Sequence, residues 1–350
     1  MSDNRPRRVL VTGCAGFIGS TVIAQWLRDT DWQLIGVDIL GYAGLRASLA
    51  EVIDDPRFTL RVVDVADGAA MAEIFSRQRP DAVVHLAAES HVDRSLSGPA
   101  AFIQTNLVGM AVLLDAARSH YETLDGNGRA RFRFLNVSTD EVFGALGPTG
   151  RFDEASRHAP NSPYSATKAG ADHLARAWHR SYGLPVLTTY SPNNYGPRQL
   201  PEKLIPRMLV AALAGEPLPI YGDGSQVRDW LHVDDHAVAL RAVLERGRIG
   251  ETYCVGGGHE CANLALVQRL CALLDARRPE QAPHARLMRF VADRPGHDWR
   301  YALDGSKLEA ELGWRAQRRF DSALADTVDW YLANPDWLAA AQRALATAPA

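Results

Sequence analysis

The octapeptide VSTDEVFG, Val137 to Gly144, ends an apolar run on a hydroxyl, Thr139, and then sets two carboxylates side by side, Asp140 and Glu141. Adjacent acids push their pKa values apart, which suits a reaction needing one protonated and one ionised group. A solvated acid pair at a strand end is the competing reading. Consecutive strand residues face opposite sides, so both acids reach one substrate only if the strand stops at about Thr139. Downstream, SPYSATKAGADHLARAW places Tyr164 and Lys168 four residues apart, on one helix face. An ammonium there lowers the phenol's pKa, and a phenolate removes a hydroxyl proton as hydride leaves the same carbon. Otherwise the segment is an amphipathic helix with a packed tyrosine and a solvated lysine. Of 38 basic residues only Lys168, Lys203 and Lys307 are lysines, the other 35 being arginine. Lysine chemistry is one reason to depart from that habit.

A departing hydride needs an acceptor, and VLVTGCAGFIGS supplies a place for one. Gly13, Gly16 and Gly19 sit between a strand-like run and a helical one, in G-x-x-G-x-x-G spacing. Small residues there let backbone N–H groups approach a pyrophosphate at a helix N-terminus. Alone, such a triplet is also a tight structural turn. Asp38, 19 residues after Gly19, closes the next strand, where a carboxylate accepts ribose hydroxyls and repels a 2′-phosphate, favouring NAD over NADP. Asp64, at the end of the third strand, is placed either to meet the adenine edge or in an exposed loop.

These groups need a frame. RRVLVTG, WQLIGVD, TLRVVDV, DAVVHLAAES and RFRFLNVST read as strands. STVIAQWLRDT, AAMAEIFSRQRP and PAAFIQTNLVGMAVLLDAARSHY read as the helices between them, the last as one long helix apolar on most faces. Strands alternating with helices predict an α/β protein with a Rossmann-like, doubly wound parallel sheet and right-handed crossovers. The less regular later part predicts a smaller, mostly C-terminal substrate-binding lobe that returns to the sheet once or twice. Residues 1–187 and 226–258 are assigned to the NAD-binding domain, 188–225 and 259–350 to the smaller lobe. The terminal AAAQRALATAPA is expected to fray.

Composition narrows the classes. The chain has 350 residues, 47% hydrophobic and 23% charged, with net charge −3, so nothing suggests a nucleic-acid partner. No apolar run approaches a bilayer span, so no membrane partner is expected. The arginines and apolar run at the N-terminus hint at a signal peptide, but the glycine turn makes a strand the better reading. The 4 cysteines, Cys14, Cys254, Cys261 and Cys271, form no C-x-x-C pair or zinc pattern. No metal is therefore expected, and free thiols imply a cytoplasmic location.

Taken together, TGCAGFIGS, HLAAESHVDRS, STDEVFG, SPYSATKAGADHLARAWHRSYGLP, NNYGP, PEKLIP, VRDWLHVDDH and DRPGHDWRY carry a resemblance. The chain resembles the extended short-chain dehydrogenase/reductases and, within them, the dTDP-glucose 4,6-dehydratases, over roughly residues 7 to 340. The resemblance implies an NAD-dependent hydro-lyase in which oxidation at C4 of the sugar acidifies the C5 hydrogen. Glu141 then takes that proton, Asp140 protonates the departing C6 hydroxyl, and the hydride returns to C6. It implies a catalytic set of Thr139, Asp140, Glu141, Tyr164 and Lys168, and a cofactor wall that adds Phe17, Ile18, Val65, Leu86 and Ala87. For the nucleotide sugar it implies Asn193, Lys203, Arg228, Arg294 and His297 around the diphosphate, Tyr221 and Pro219 as a base-stacking wall, and Asn263 as a base contact. Ser90 and Leu204 complete the set, while Lys307 matches nothing and is expected to be solvated. A homodimer is implied, paired through the helix near 100–119 and the Tyr164 helix.

The chain also departs from the pattern. DILGYAGL places Ile39, Gly41 and Leu45 where polar side chains would meet NAD, and TYSPNN places Tyr190, Ser191 and Pro192 near nicotinamide and sugar. A nucleotide-sugar 5,6-dehydratase or epimerase therefore stays open, as does a non-catalytic NAD-responsive binding protein on the same fold.

Overall fold

The computed structural model describes residues 6–293 and 296–347. The first half is built from β1 (Arg8–Thr12), α1 (Phe17–Asp29), β2 (Gln33–Asp38), β3 (Phe58–Val62), α2 (Gly68–Gln78) and β4 (Ala82–His85). Next come α3 (Val92–Ser97), α4 (Pro99–Phe102), α5 (Gly109–Glu122), α6 (Gly126–Arg131), β5 (Arg133–Thr139), α7 (Pro163–Tyr182) and β6 (Val186–Ser191). The second half contains β7 (Asn193–Tyr195), α8 (Leu204–Leu213), β8 (Leu218–Tyr221), β9 (Val227–His232), α9 (Val233–Arg246) and β10 (Thr252–Cys254). It ends with β11 (Glu260–Ala262), α10 (Asn263–Arg277), β12 (Met288–Val291), α11 (Ser306–Leu312), α12 (Phe320–Ala333) and α13 (Pro335–Ala346).

Seven parallel strands lie in the order β10-β6-β5-β4-β1-β2-β3, the doubly wound arrangement expected. Strand order reverses between β1 and β4, so a crevice opens at their carboxyl ends. Alternation along β1 explains the layers: Val9 and Val11 join Trp26, Leu135 and Leu240 on one face, and Leu10 joins Met71, Phe134 and Leu113 on the other. Truncating Leu10 to alanine would open a cavity worth about 2–5 kcal/mol. The Trp26 indole N–H donates to the Ala237 carbonyl at 3.1 Å, tying α1 to α9 across the first face. A capping box of Ser162 and Ser165 starts α7, and Gly183, at φ 68°, ends it.

The smaller lobe holds a β11-β9-β7 sheet and a β12-β8 pair. Its own core gathers Tyr195, Leu209, Trp230, Leu266, Leu270 and Tyr331. The chain returns to the main sheet at β10, beside β6. The division at residue 187 falls inside β6, whose residues 188–191 stay in the large sheet.

Three expectations change. The long helix is interrupted by a π-helical turn, Ile103–Val108, because Asn106 is drawn inward. Its amide donates to Thr167 Oγ1 at 2.9 Å and to the Glu89 carbonyl at 3.1 Å, and its Oδ1 accepts from the Glu89 N–H at 3.0 Å. Pro99–Glu122, 24 residues, is nonetheless long and apolar enough to cross a membrane, contrary to the sequence expectation. Packing accounts for much of that character, since Met110, Leu113, Leu114 and Ala117 are core residues. At the C-terminus, AAAQRALATAPA does not simply fray: α13 runs to Ala346, with Trp337 and Ala341 buried and the Trp337 indole donating to Ser48 Oγ at 3.1 Å.

Candidate active site

The crevice becomes a site first by what is missing. Gly13 has φ +69°, and a Cβ there would lie 2.7 Å from the Ala87 amide nitrogen. A Cβ on Gly19 would fall 2.0 Å from the Gly13 carbonyl oxygen. Gly16 has more room and serves as the N-cap of α1, which leaves the first amides of that helix without side-chain partners. Thr12 Oγ1 fixes the opposite wall, accepting from the Leu86 and Ala87 N–H groups at 3.2 Å and bonding His85 Nδ1 at 2.8 Å. Asp38 is buried at the end of β2, accepting from the Ala15 N–H at 2.9 Å and the Leu40 N–H at 2.8 Å. Burial raises its pKa, and those two amides lower it. The glycine cradle, the open helix end and the anchored carboxylate fit a dinucleotide with free ribose hydroxyls.

Gly13, Gly16, Phe17, Ile18, Gly19, Asp38, Asp64, Val65, Leu86 and Ala87 all line this end of one continuous cavity. Asp64 lies two residues beyond β3, where its Oδ1 accepts from the Ala66 N–H at 2.8 Å. Tyr42, absent from the sequence-based set, also lines the cavity; its hydroxyl donates to Glu89 at 2.8 Å, under the Arg94 guanidinium. Ile39 stands exposed on the rim, whereas Leu45 has turned into the core of the smaller lobe.

Thr139, Asp140, Glu141, Tyr164, Lys168, Ser90, Asn193 and Lys203 line the other end. β5 stops at Thr139, and Asp140–Phe143 form a single 3₁₀ turn. That turn resolves the problem of two consecutive acids, since strand alternation no longer applies. Thr139 Oγ1 accepts from the Glu141 N–H at 3.3 Å and donates to Asp140 Oδ1 at 3.2 Å. Asp140 is 2% exposed, and its Oδ2 is buried without a hydrogen-bond partner among the described residues. Burial above all, then the charges of Glu141 and Asp229, hold the Asp140 carboxyl well above the usual carboxylate range, against Arg228 and the Thr139 hydroxyl. A carboxyl so placed favours its neutral form more than an exposed one does.

The Tyr164 phenol is pushed up above all by burial and then by Glu141, with the nearby Thr139 hydroxyl opposing the shift. The expectation that Lys168 lowers it is thus not what dominates here. Lys168 Nζ donates to the Val137 carbonyl at 2.8 Å, and burial lowers its pKa while Asp172 raises it. Asp172 accepts from Asn136 Nδ2 at 2.7 Å and Ser138 Oγ at 2.8 Å. Burial pushes its pKa up to about 6, opposed by Lys168 and those two donors. Sequence reasoning missed this trio. The signals were present: Asp172 is one further helical turn beyond Lys168, and Asn136 and Ser138 share one face of β5.

The remaining substrate candidates divide. Lys203 Nζ donates to the Ser90 carbonyl at 2.6 Å, joining those two at the cavity. Leu204, Pro219, Tyr221, Arg228, Asn263 and His297 lie outside the cavity lining, and Arg294 lies outside the described residues. Tyr221 and His297 meet with ring centroids 6.2 Å apart, and His297 Nδ1 bonds Asp293 at 2.6 Å. Leu204 packs against the small-lobe core. Asn263 Oδ1 is buried with no partner among the described residues. Arg228 donates to the carbonyls of Val227, Asp298 and Trp299 and lies over the Tyr301 ring. Of the altered residues, Ser191 and Pro192 line the cavity. Tyr190 packs behind it on Phe143, with its hydroxyl 3.1 Å from His158 Nε2. Lys307 is half-buried rather than simply solvated: it donates to Glu251 at 2.7 Å and to the Thr252 carbonyl at 2.9 Å. Among the described residues, no group of three His, Cys, Asp or Glu could hold a metal ion.

The family described as GDP-mannose 4,6 dehydratase matches residues 10–327. A dTDP-glucose 4,6-dehydratase of Xanthomonas campestris pv. campestris is 53% identical over 331 residues, covering 94% of each chain. The Escherichia coli K12 protein called dTDP-glucose 4,6-dehydratase 1 is 50% identical over 340 residues, covering 95% of this chain and 94% of its own. A dTDP-glucose 4,6-dehydratase from Streptomyces venezuelae, solved with NAD and TYD bound, superposes with a TM-score of 0.88. It is 46% identical and covers 95% of this chain and 99% of its own.

Proposed function

The chain belongs to the GDP-mannose 4,6 dehydratase family, and from that premise we propose that it converts dTDP-glucose to dTDP-4-keto-6-deoxyglucose and water. The glycine turn and Asp38 would hold NAD, which would supply a reversible hydride acceptor for the sugar. The chain's own residues handle the protons. Tyr164 takes the C4 hydroxyl proton, and Lys168, on the same helix face, holds the cofactor ribose. The ketone acidifies C5, Glu141 removes that proton, and Asp140 protonates the C6 oxygen as it leaves.

One observation carries this reading: Asp140 is buried, favours its protonated form, and adjoins Glu141 at the same cavity end as Tyr164. A redox enzyme that does not eliminate water has no need of a buried carboxylic acid there. The unpartnered Oδ2 of Asp140 is an atom that a departing hydroxyl would satisfy.

Ser90, Asn193 and Lys203 bind the nucleotide sugar beside its diphosphate, with Arg228 and His297 approaching from the smaller lobe; Arg294, outside the described residues, is assigned to the same contacts by the family resemblance alone. Tyr221 and Pro219 stack the base and Leu204 supports them, while the buried Asn263 Oδ1 suits a base N–H donor. A division into an NAD-binding domain and a sugar-nucleotide lobe is supported by the smaller lobe's own core, distinct from those on the faces of the large sheet. Two copies pair through exposed Ile103 and Val108 and the neighbouring Tyr164 helix. A cytoplasmic location is supported by four buried, unbridged cysteines.

The test is Glu141→Gln with dTDP-glucose. Reduced cofactor is expected to accumulate on the enzyme, with little 6-deoxy product and little exchange of the C5 hydrogen into deuterated water. Asp140→Asn should slow water loss while C5 exchange continues. Near-normal turnover by both variants would overturn the dehydratase reading. A C5–C6 alkene with the C4 alcohol restored, or an unchanged C6 alcohol, would instead mark a 5,6-dehydratase or an epimerase.

A further inference from the structure

Two consecutive acids do separate work only if the turn that carries them keeps its place. The Asp140–Phe143 turn is too short to hold itself, and its anchors face away from the cavity. The Val142 carbonyl accepts from the Ala159 N–H at 2.9 Å. Gly144, at φ +79°, lies so close to the same segment that a Cβ would fall 2.4 Å from the Ala159 carbonyl oxygen. The Phe143 ring is enclosed by Phe152, His158 and Tyr190, with centroids 5.1, 5.4 and 4.7 Å away.

One polar contact closes that enclosure. Tyr190 stands on β6 opposite Ser138 of β5, and its hydroxyl lies 3.1 Å from His158 Nε2. His158 adjoins Ala159 in sequence, so this hydrogen bond ties the segment behind the acid turn to the main sheet. His158 Nδ1 is buried without a partner among the described residues. The Tyr190 hydroxyl therefore orients the imidazole, with the His173 ring packed beside it at 5.0 Å. Neither Tyr190 nor His158 lines the cavity, so their effect on chemistry passes through Phe143 and the turn. Tyr164 and Lys168 are held by other groups: the capping box of Ser162 and Ser165, the Phe102 ring and the Val137 carbonyl. Tyr190 is also one of the positions at which this chain departs from the family pattern.

Resting on the dehydratase reading, we propose that Tyr190 and His158 are positioning residues whose hydrogen bond, acting through Phe143, holds the Asp140–Glu141 turn against the sugar for water loss. The pair serves elimination and leaves C4 oxidation to groups held elsewhere. A reacting group misplaced by about 1 Å loses about 10²-fold in rate, and the smaller shift that follows loss of one brace costs about tenfold.

The experiment compares the full-length enzyme, carrying its cofactor, with Tyr190→Phe, His158→Phe and the double variant, all given dTDP-glucose. Tyr190→Phe keeps the ring against Phe143 and removes only the hydroxyl. Circular dichroism and bound cofactor verify folding, and either single variant suffices if the other fails to fold. Each single variant should form product about tenfold more slowly, with KM within about twofold of the parent's. A larger share of the cofactor should stand reduced during turnover, and the C5 hydrogen should exchange more slowly into deuterated water. The double variant should be no slower than the slower single variant, because both lose the same bond. Product formation at the parent's rate in the single variants would overturn the brace. Slow turnover with the cofactor left oxidised would also overturn it, by placing the damage at the C4 step. Single effects that multiply in the double variant would overturn it as well, by showing independent packing losses. Absence of dehydrated product from the unaltered enzyme would overturn the dehydratase reading, and the brace with it.

Discussion

At the turn after β1 the protein works by leaving side chains out, whereas at the end of β5 it works by crowding titratable side chains in. Gly13 and Gly19 are required because any Cβ would strike backbone, and the groups offered to a ligand are amides. Around Thr139, five ionisable side chains, Asp140, Glu141, Tyr164, Lys168 and Asp172, share one neighbourhood with little water, and each changes its neighbours' proton affinity. The first region is sensitive to added atoms. The second is sensitive to charge and to the removal of a single proton-bearing atom.

That contrast is broken most sharply at the chemical end. Tyr164→Phe removes one oxygen without changing the packing against Phe102, so the fold and cofactor content should be retained. Turnover should fall by about 10²–10⁴-fold, with no reduced cofactor appearing in the absorbance spectrum of the mixed enzyme and substrate. Retained turnover would show that the phenol is not the base.

Gly19→Ala reverses the pattern, adding one methyl at the other end. Because the new Cβ would overlap the Gly13 carbonyl, the turn must shift, and NAD affinity should fall by roughly 100-fold. Fluorescence titration measures this, and unchanged affinity would deny the close approach of backbone and cofactor.

Asp172→Asn sharpens the electrostatic half. The Asp172 carboxyl is raised from 3.8 to about 6 in the folded protein, so the folded state binds its proton more tightly than the unfolded one. Ionised Asp172 therefore costs stability above that range, and the cost is relieved as pH falls from about 6 toward the unfolded value. Relative to the Asn variant, the parent should gain stability on acidification through this window, on the order of 2 to 3 kcal/mol at most. Thermal unfolding of both proteins across the window checks it; parallel curves would mean that Lys168 cancels the shift.

The smallest effect is expected at Asp38, whose oxygens are already held by two backbone amides. Asp38→Asn keeps the shape and removes the repulsion of a 2′-phosphate. The preference for NAD over NADP should narrow by roughly tenfold, as competitive binding would report.

Legibility followed the same division. The glycine turn, Asp38 and the Tyr164–Lys168 face were readable because each depends on a few neighbouring residues and a fixed backbone period. The stop of β5 at Thr139 could be stated only as a condition, and the 3₁₀ turn supplied it. Asp172, Asn136 and Ser138 were passed over although their spacings fit, because nothing local says that a polar side chain will be desolvated. Lys307 was misjudged for a related reason: its partners, Glu251 and Thr252, are more than fifty residues away.

By itself, the sequence determined the alternation of strand and helix, the backbone cradle after β1, and the residue types at each working position. These follow from side-chain periodicity and from the steric freedom of glycine, which act over a few residues. Only the tertiary structure decided which carboxyl keeps its proton. Asp229 and Arg228 reach Asp140 from β9, nearly ninety residues onward, and the packing of the lobes removes the water that would have screened them. Desolvation and Coulomb interaction depend on what is near in space, and that proximity exists only once the chain has folded.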